Sequence, residues 1–155
     1  MIRSIFVLLI SIVIFAPSIQ AAEPFAATAC RSGTMTVVEG SKALMILGVE
    51  LKGILRSNTE MFNNTSEICV GVYKGTGDDV TQNGYCKYLY PNGDINVVEW
   101  DGSRNEGKWT YLMGTGKWDN IKGGGTWKNL QRAKSIAKGT FQNCIELEGS
   151  YELPK

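Results

Sequence analysis

Four cysteines, fifteen carboxylates and not one histidine set the chemistry open to this chain of 155 residues. Without an imidazole there is no Ser-His-Asp triad, no Cys-His pair and no histidine metal site. The carboxylates that cluster are Glu99, Asp101 and Glu106 around Trp100, and the adjacent Asp78 and Asp79. Paired acids can share general acid–base work or offer oxygens to Ca²⁺. In the stretch Asp101–Gly107 (DGSRNEG), however, Ser103 and Glu106 break the calcium-loop spacing. These acids therefore read as solvated turn carboxylates, and neither a metal nor a cofactor is expected.

The cysteines Cys30, Cys69, Cys86 and Cys144 contain no CxxC unit, and their spacings of 39, 17 and 58 resemble no zinc ribbon or finger. An even, sparse set of this kind reads as two disulfides. Three connectivities are open; Cys69–Cys86 across a hairpin with Cys30–Cys144 tying the chain ends is preferred. Export agrees with this. Arg3 precedes an apolar run over Ile5–Ala16 that ends at Pro17, and Ala21 and Ala22 offer a small-residue cleavage point. Residues 1–21 are thus expected to be a signal peptide, with residues 22–155 as one domain. The run is shorter than the ~20 residues a membrane helix needs, so no stable span remains after cleavage. The expected location is periplasmic or secreted. After cleavage 15 basic and 15 acidic residues remain, which disfavours nucleic acid as a partner.

Elements that could position these groups read as short strands. Turn signals recur every 8–12 residues from Ile68 onward, with strands over Ile68–Thr76, Gly84–Tyr90, Ile95–Trp100 and Lys108–Met113. Thr126–Leu130, Ile136–Gln142 and Ile145–Tyr151 follow as closing strands. All 18 glycines fall after the signal segment, and they read as turn residues. Ser41–Arg56 fits helical spacing, but Gly48 and Gly53 weaken a helix by ~1 kcal/mol each. As a strand it places Ala43, Met45, Leu47, Val49 and Leu51 on one face, and that reading is preferred. The expected fold is all-β: a single antiparallel meander closing into a small, about eight-stranded barrel with two disulfides.

Tryptophans recur at 100, 109, 118 and 127, every nine residues, close to one strand plus one turn. They read first as a structural belt, with a ligand-lining role as the alternative. Alternation in Lys108–Met113 puts Trp109, Tyr111 and Met113 inward, and Trp118 is expected at a barrel rim. Candidate ligand-binding residues are Trp109, Tyr111, Trp118, Tyr85 and Glu99. Residues 108–138 hold seven cations against Asp119 alone, a basic face represented by Lys122, Lys128, Arg132 and Lys134 that could meet an anionic surface.

Met113–Trp127 (MGTGKWDNIKGGGTW) resembles the GGTGKF/Y-x-G-x-x-G-x-G signature of the barrel shared by plant dirigent proteins and allene oxide cyclase. Gly114, Gly116, Lys117, Gly123 and Gly125 match, Trp118 takes the aromatic place, and Met113 and Asn120 stand at common glycine positions. Cys69-Val70-Gly71, Gly84-Tyr85-Cys86 and Pro91-Asn92-Gly93-Asp94 are also similar to a C-x-G…GYC…DGD pattern of small exported bacterial proteins. The resemblance implies the barrel and carries over no catalytic residue, since glycine-turn signatures report backbone geometry. The favoured function is a non-enzymatic binding barrel whose ligand the sequence does not identify, with a small apolar molecule or an anionic surface as the candidate partners. One alternative is an isomerase or cyclase, which needs Glu99 or Glu50 buried beside Tyr85 or Tyr111. The other is an interaction or inhibitor protein using the basic face.

Overall fold

The computed structural model describes residues 21–154; the signal-peptide reading of the N-terminal segment lies outside them apart from Ala21. Eight antiparallel strands follow one another and close on themselves, β8 pairing with β1. They are β1 (Glu23–Gly40), β2 (Met45–Ser57), β3 (Thr65–Thr76), β4 (Asp79–Leu89), β5 (Ile95–Ser103), β6 (Glu106–Gly114), β7 (Lys122–Ala133) and β8 (Thr140–Glu152). Closure leaves no described strand without a partner on both sides, although Tyr111–Gly114 of β6 runs past its pairing with β7. The strand reading of Ser41–Arg56 holds from Met45 onward, with Val49 and Leu51 buried and Glu50 and Lys52 exposed. Ala43, expected on the inward face, is exposed in the connection before β2. The two sequence-predicted strands Ile136–Gln142 and Ile145–Tyr151 are largely one: Ile136 lies in the connection before β8.

Both disulfides form as preferred. Cys30 and Cys144 stand directly opposite on β1 and β8 and clasp the closing seam from outside. Cys69 and Cys86 are opposite on β3 and β4, with both side chains buried inside the barrel.

Most glycines are not turn residues. Fourteen of the 18 lie within strands, where several make room for a large ring on the inner wall. A Cβ on Gly71 or Gly84 would lie 2.6 Å from the Trp100 indole, and one on Gly33 would lie 2.6 Å from the Phe141 ring. A narrow barrel can accept large inward aromatics only where the facing wall carries no side chain.

Aromatic packing closes one end. A short 3₁₀ turn, Glu60–Phe62, drives Phe62 under the barrel, where it meets Phe25 at 4.7 Å and Trp118 and Tyr151 at 5.0 Å. Trp118 stacks on Tyr90 at 4.4 Å. Its position follows from the glycine signature. Gly116 adopts φ +57° against the Asp94 carboxylate, a conformation glycine accepts without strain. The resulting turn, Gly116–Trp118, swings the indole inward. Trp118 is thus fully buried at the closed base, not at an open rim.

A bulge corrects one further expectation. The β5–β6 register jumps between Val97 and Val98, which pair with Met113 and Tyr111. The extra residue turns both Leu112 and Met113 outward, while Trp109 and Tyr111 stay inside as expected.

Candidate ligand cavity

Above the aromatic base the lumen holds a cavity of about 270 Å³, close to the ~300 Å³ at which small-molecule sites begin. Its apolar walls come from the inward faces of β2, β5 and β8, among them Leu47, Val49, Val98 and Ile145. Trp100, Trp109 and Trp127 line it as well. Two indoles are pinned by hydrogen bonds: Trp109 Nε1 donates to the Thr126 carbonyl at 3.1 Å and Trp127 Nε1 to the Asp101 carbonyl at 3.0 Å. Trp100 Nε1 is buried without a partner. The nine-residue spacing therefore brings three tryptophans to the cavity and leaves the fourth, Trp118, in the base.

The mouth lies where β1 ends and β2 begins, beside the tight β5–β6 turn at Arg104-Asn105. That turn is held from β7. Asn129 Nδ2 donates to the Arg104 carbonyl at 2.8 Å, and Arg132 Nη2 donates to the same oxygen at 2.6 Å. Asn143 Nδ2 in turn donates to Asn129 Oδ1 at 2.9 Å.

Six polar side chains of the lumen follow a single row of strand partners, while Gln82, Asn129 and Gln142 lie off it. Arg132 pairs with Asn143, Asn143 with Arg31, Arg31 with Gly53, Gly53 with Glu67, Glu67 with Tyr88, and Tyr88 with Asn96. Because strands in a barrel are tilted, this row winds down the wall across β7, β8 and β1–β5, from mouth to base. Gly53 has a physical reason in it. Its missing side chain lets Arg31 reach across β2, since a Cβ there would lie 2.6 Å from Arg31 Cβ. The guanidinium then stands 3.8 Å from Glu67.

Glu67 is the acid of the interior. Burial raises its pKa above the ordinary carboxylate value, with Arg31 and then Tyr88 working against that rise. Burial also pushes the Tyr88 hydroxyl well above its usual range, and the Glu67 charge adds to this. Glu67, Cys69 and Cys86 bring three ligand-type atoms within 4.8 Å of one another. Both sulfurs are disulfide-bonded, which leaves one carboxylate and no thiolate for a metal.

The other candidates lie elsewhere. Tyr85 and Glu99 are cross-strand partners on the outer wall, where alternation along β4 and β5 turns them to solvent. Glu50 is also outside. The buried Glu–Tyr pair required by the cyclase alternative is therefore not built from these acids. Tyr111 is inside but below the main cavity, beside Phe25, Tyr90 and Trp109. Of the basic residues, Lys122 stands opposite Glu152 and Lys128 opposite Glu146 on β8, which places opposite charges side by side on the outer wall. Arg132 instead lines the cavity, and Lys134 follows at the end of β7. Arg31, Glu67, Tyr88, Arg104 and Asn143 escaped sequence reasoning. The alternation Ala27-Ala29-Arg31 along β1 was the available signal for an inward arginine.

No family model matches the chain, and no curated protein matches it in sequence. Solved structures do resemble it. The pterocarpan synthase dirigent protein PsPTS1 superposes with a TM-score of 0.57 at 11% identity, covering 88% of this chain and 99% of that one. The pterocarpan synthase dirigent protein GePTS1 does so with a TM-score of 0.55 at 12% identity, covering 90% and 98%. At such identities the likeness is one of fold: the chain has the eight-stranded barrel architecture of the dirigent proteins.

Proposed function

We propose that this protein binds a small, largely apolar molecule in the lumen of its barrel and performs no reaction on it. The observation that carries the reading is the 270 Å³ cavity, apolar-walled, set above a sealed aromatic base. A lumen needed only for stability would be filled by side chains, as packed interiors are. The fold neighbours are named as pterocarpan synthase dirigent proteins, which supports a barrel of this shape receiving a small organic molecule. Two disulfides suit an oxidising compartment, so we place the protein outside the cytoplasm, in the periplasm or secreted.

Titration with N-phenyl-1-naphthylamine, a neutral apolar fluorophore, tests the reading. Saturable binding of one probe per chain is expected, and Leu47→Trp, which fills the cavity from the β2 wall, abolishes it. Absence of saturable binding to the folded protein, or binding unchanged in folded Leu47→Trp, overturns the proposal.

A further inference from the structure

The geometry points to an organic anion as the class of ligand: an apolar or aromatic body with an oxyanion head such as a carboxylate or sulfonate. This rests on the lumen being the binding site and adds the chemistry of the head and its direction. Three arginines line the cavity and no acid does. Arg31 has Glu67 beside it, buried deeper in the barrel interior. Arg104 and Arg132 have no carboxylate within 4.0 Å among the described residues, where the ion pairs are Arg31–Glu67 and Lys52–Glu50. The site thus carries an excess of two positive charges on its solvent-exposed lip, directly above the apolar walls, where an anion is attracted and salt screens the attraction.

The arrangement is held in place. Arg132 is anchored through Nη2, which donates to the Arg104 carbonyl and to Asn105 Oδ1, and this leaves Nη1 and Nε for a ligand. Arg31 Nε is buried without a partner, so a donor already desolvated awaits an acceptor. Arg132, Asn143 and Arg31 are successive partners on β7, β8 and β1. Together they form the upper end of the polar row, on one side of the mouth. An anionic head seated there places the apolar body downward against Val98, Ile145 and Trp109. A neutral molecule would leave the two exposed guanidiniums without a counter-charge, and a cation would be repelled.

A matched pair of fluorophores reads this directly. N-phenyl-1-naphthylamine and 1-anilinonaphthalene-8-sulfonate share one aromatic body and differ in the sulfonate. At low ionic strength the sulfonate is expected to bind at least tenfold more tightly, with the advantage shrinking as salt shortens the Debye length. Decanoate should displace it at least tenfold better than 1-decanol. Arg132→Gln and Arg104→Gln should each remove most of the sulfonate's advantage while moving the neutral probe less than twofold. The paired change Lys122→Gln with Lys128→Gln, on the outer wall, should leave both probes unaffected. Equal affinity for the two probes, with saturable binding still lost in Leu47→Trp, overturns the anion inference and leaves the lumen reading intact. Saturable binding of neither probe overturns both. Loss of sulfonate binding in the outer-wall lysine variant, with Arg132→Gln silent, moves the anion to the exterior and also overturns the inference.

Discussion

Removing each disulfide in turn separates two ways in which a crosslink holds a barrel. Cys30–Cys144 spans 114 residues and Cys69–Cys86 spans 17. In the chain-entropy description these loops are worth ~5 and ~3 kcal/mol respectively. The inner bridge adds packing, because Cys69 and Cys86 are 1% and 2% exposed. Replacing two buried sulfurs by hydrogen leaves a void costing a further ~1–2 kcal/mol. The paired variants Cys30→Ala/Cys144→Ala and Cys69→Ala/Cys86→Ala should therefore lose similar amounts, ~4–5 kcal/mol, for different reasons. The seam variant loses by releasing the unfolded chain, so its urea m-value should rise, since m follows the surface newly exposed on unfolding. The inner variant should show a smaller rise in m. Equilibrium urea unfolding at 25 °C, followed by tryptophan fluorescence, measures both quantities. A loss of this size approaches the total stability of many domains, so the seam variant is also expected to melt near physiological temperature. An unchanged m-value in the seam variant, or a loss there smaller than in the inner variant by 2 kcal/mol or more, refutes the reasoning.

Other consequences can be checked with the same protein. Trp118→Ala should cost ~3–5 kcal/mol of stability yet leave the affinity of a lumen probe nearly unchanged in the folded protein, because its ring lies in the base and outside the cavity wall. Trp109→Leu should weaken the same probe, measured by fluorescence titration. Glu67 has a folded pKa above its unfolded value, so the unfolded chain gives up this proton first as pH rises. Stability contributed by the protonated acid is present below ~4.5 and declines as pH rises through the folded value. Glu67→Gln should flatten that decline in denaturation curves collected between pH 4 and 8. Gly84→Val should displace the Trp100 indole and destabilise the barrel by at least ~1–3 kcal/mol, with a change in near-ultraviolet circular dichroism.

What was legible in the chain is what depends on near neighbours. Alternation along Gly84–Tyr90, with Gly84, Cys86, Tyr88 and Tyr90 buried and Tyr85, Lys87 and Leu89 exposed, is readable because successive side chains point to opposite faces. Asp79–Asn83, which reads as a turn-forming loop, is instead the first half of β4. The cysteine pairing could be preferred because a hairpin and a closing seam are the places where strand neighbours meet. Met113 defeated the alternation rule, since the bulge at Leu112 in its own strand is set by pairing with β5 and shows in no local pattern of Lys108–Met113. Trp118 was misplaced because the turn that buries it is set by Gly116 against Asp94, over twenty residues away. The glycines misled for a similar reason. Gly71 on β3 and Gly84 on β4 accommodate the Trp100 indole of β5, so their role shows only once the three strands lie side by side. The polar row is the extreme case: Arg132, Asn143, Arg31 and Glu67 come from four strands, and only the full barrel register brings them into line.

The strand count has a bearing on how the barrel can be presented to its surroundings. Eight strands are an even number, so the chain enters and leaves the sheet on the same side: Glu23 and Tyr151 are strand partners at the sealed base. Both ends of the sheet therefore lie at the pole opposite the mouth. A tether at the amino terminus, at the carboxyl terminus or at both would hold the barrel like a cup on its stem, opening outward, and a fused module would hang below without covering the entrance. Immobilisation through either end is therefore expected to leave lumen binding intact, whereas an insertion at Arg104-Asn105 would build directly on the lip.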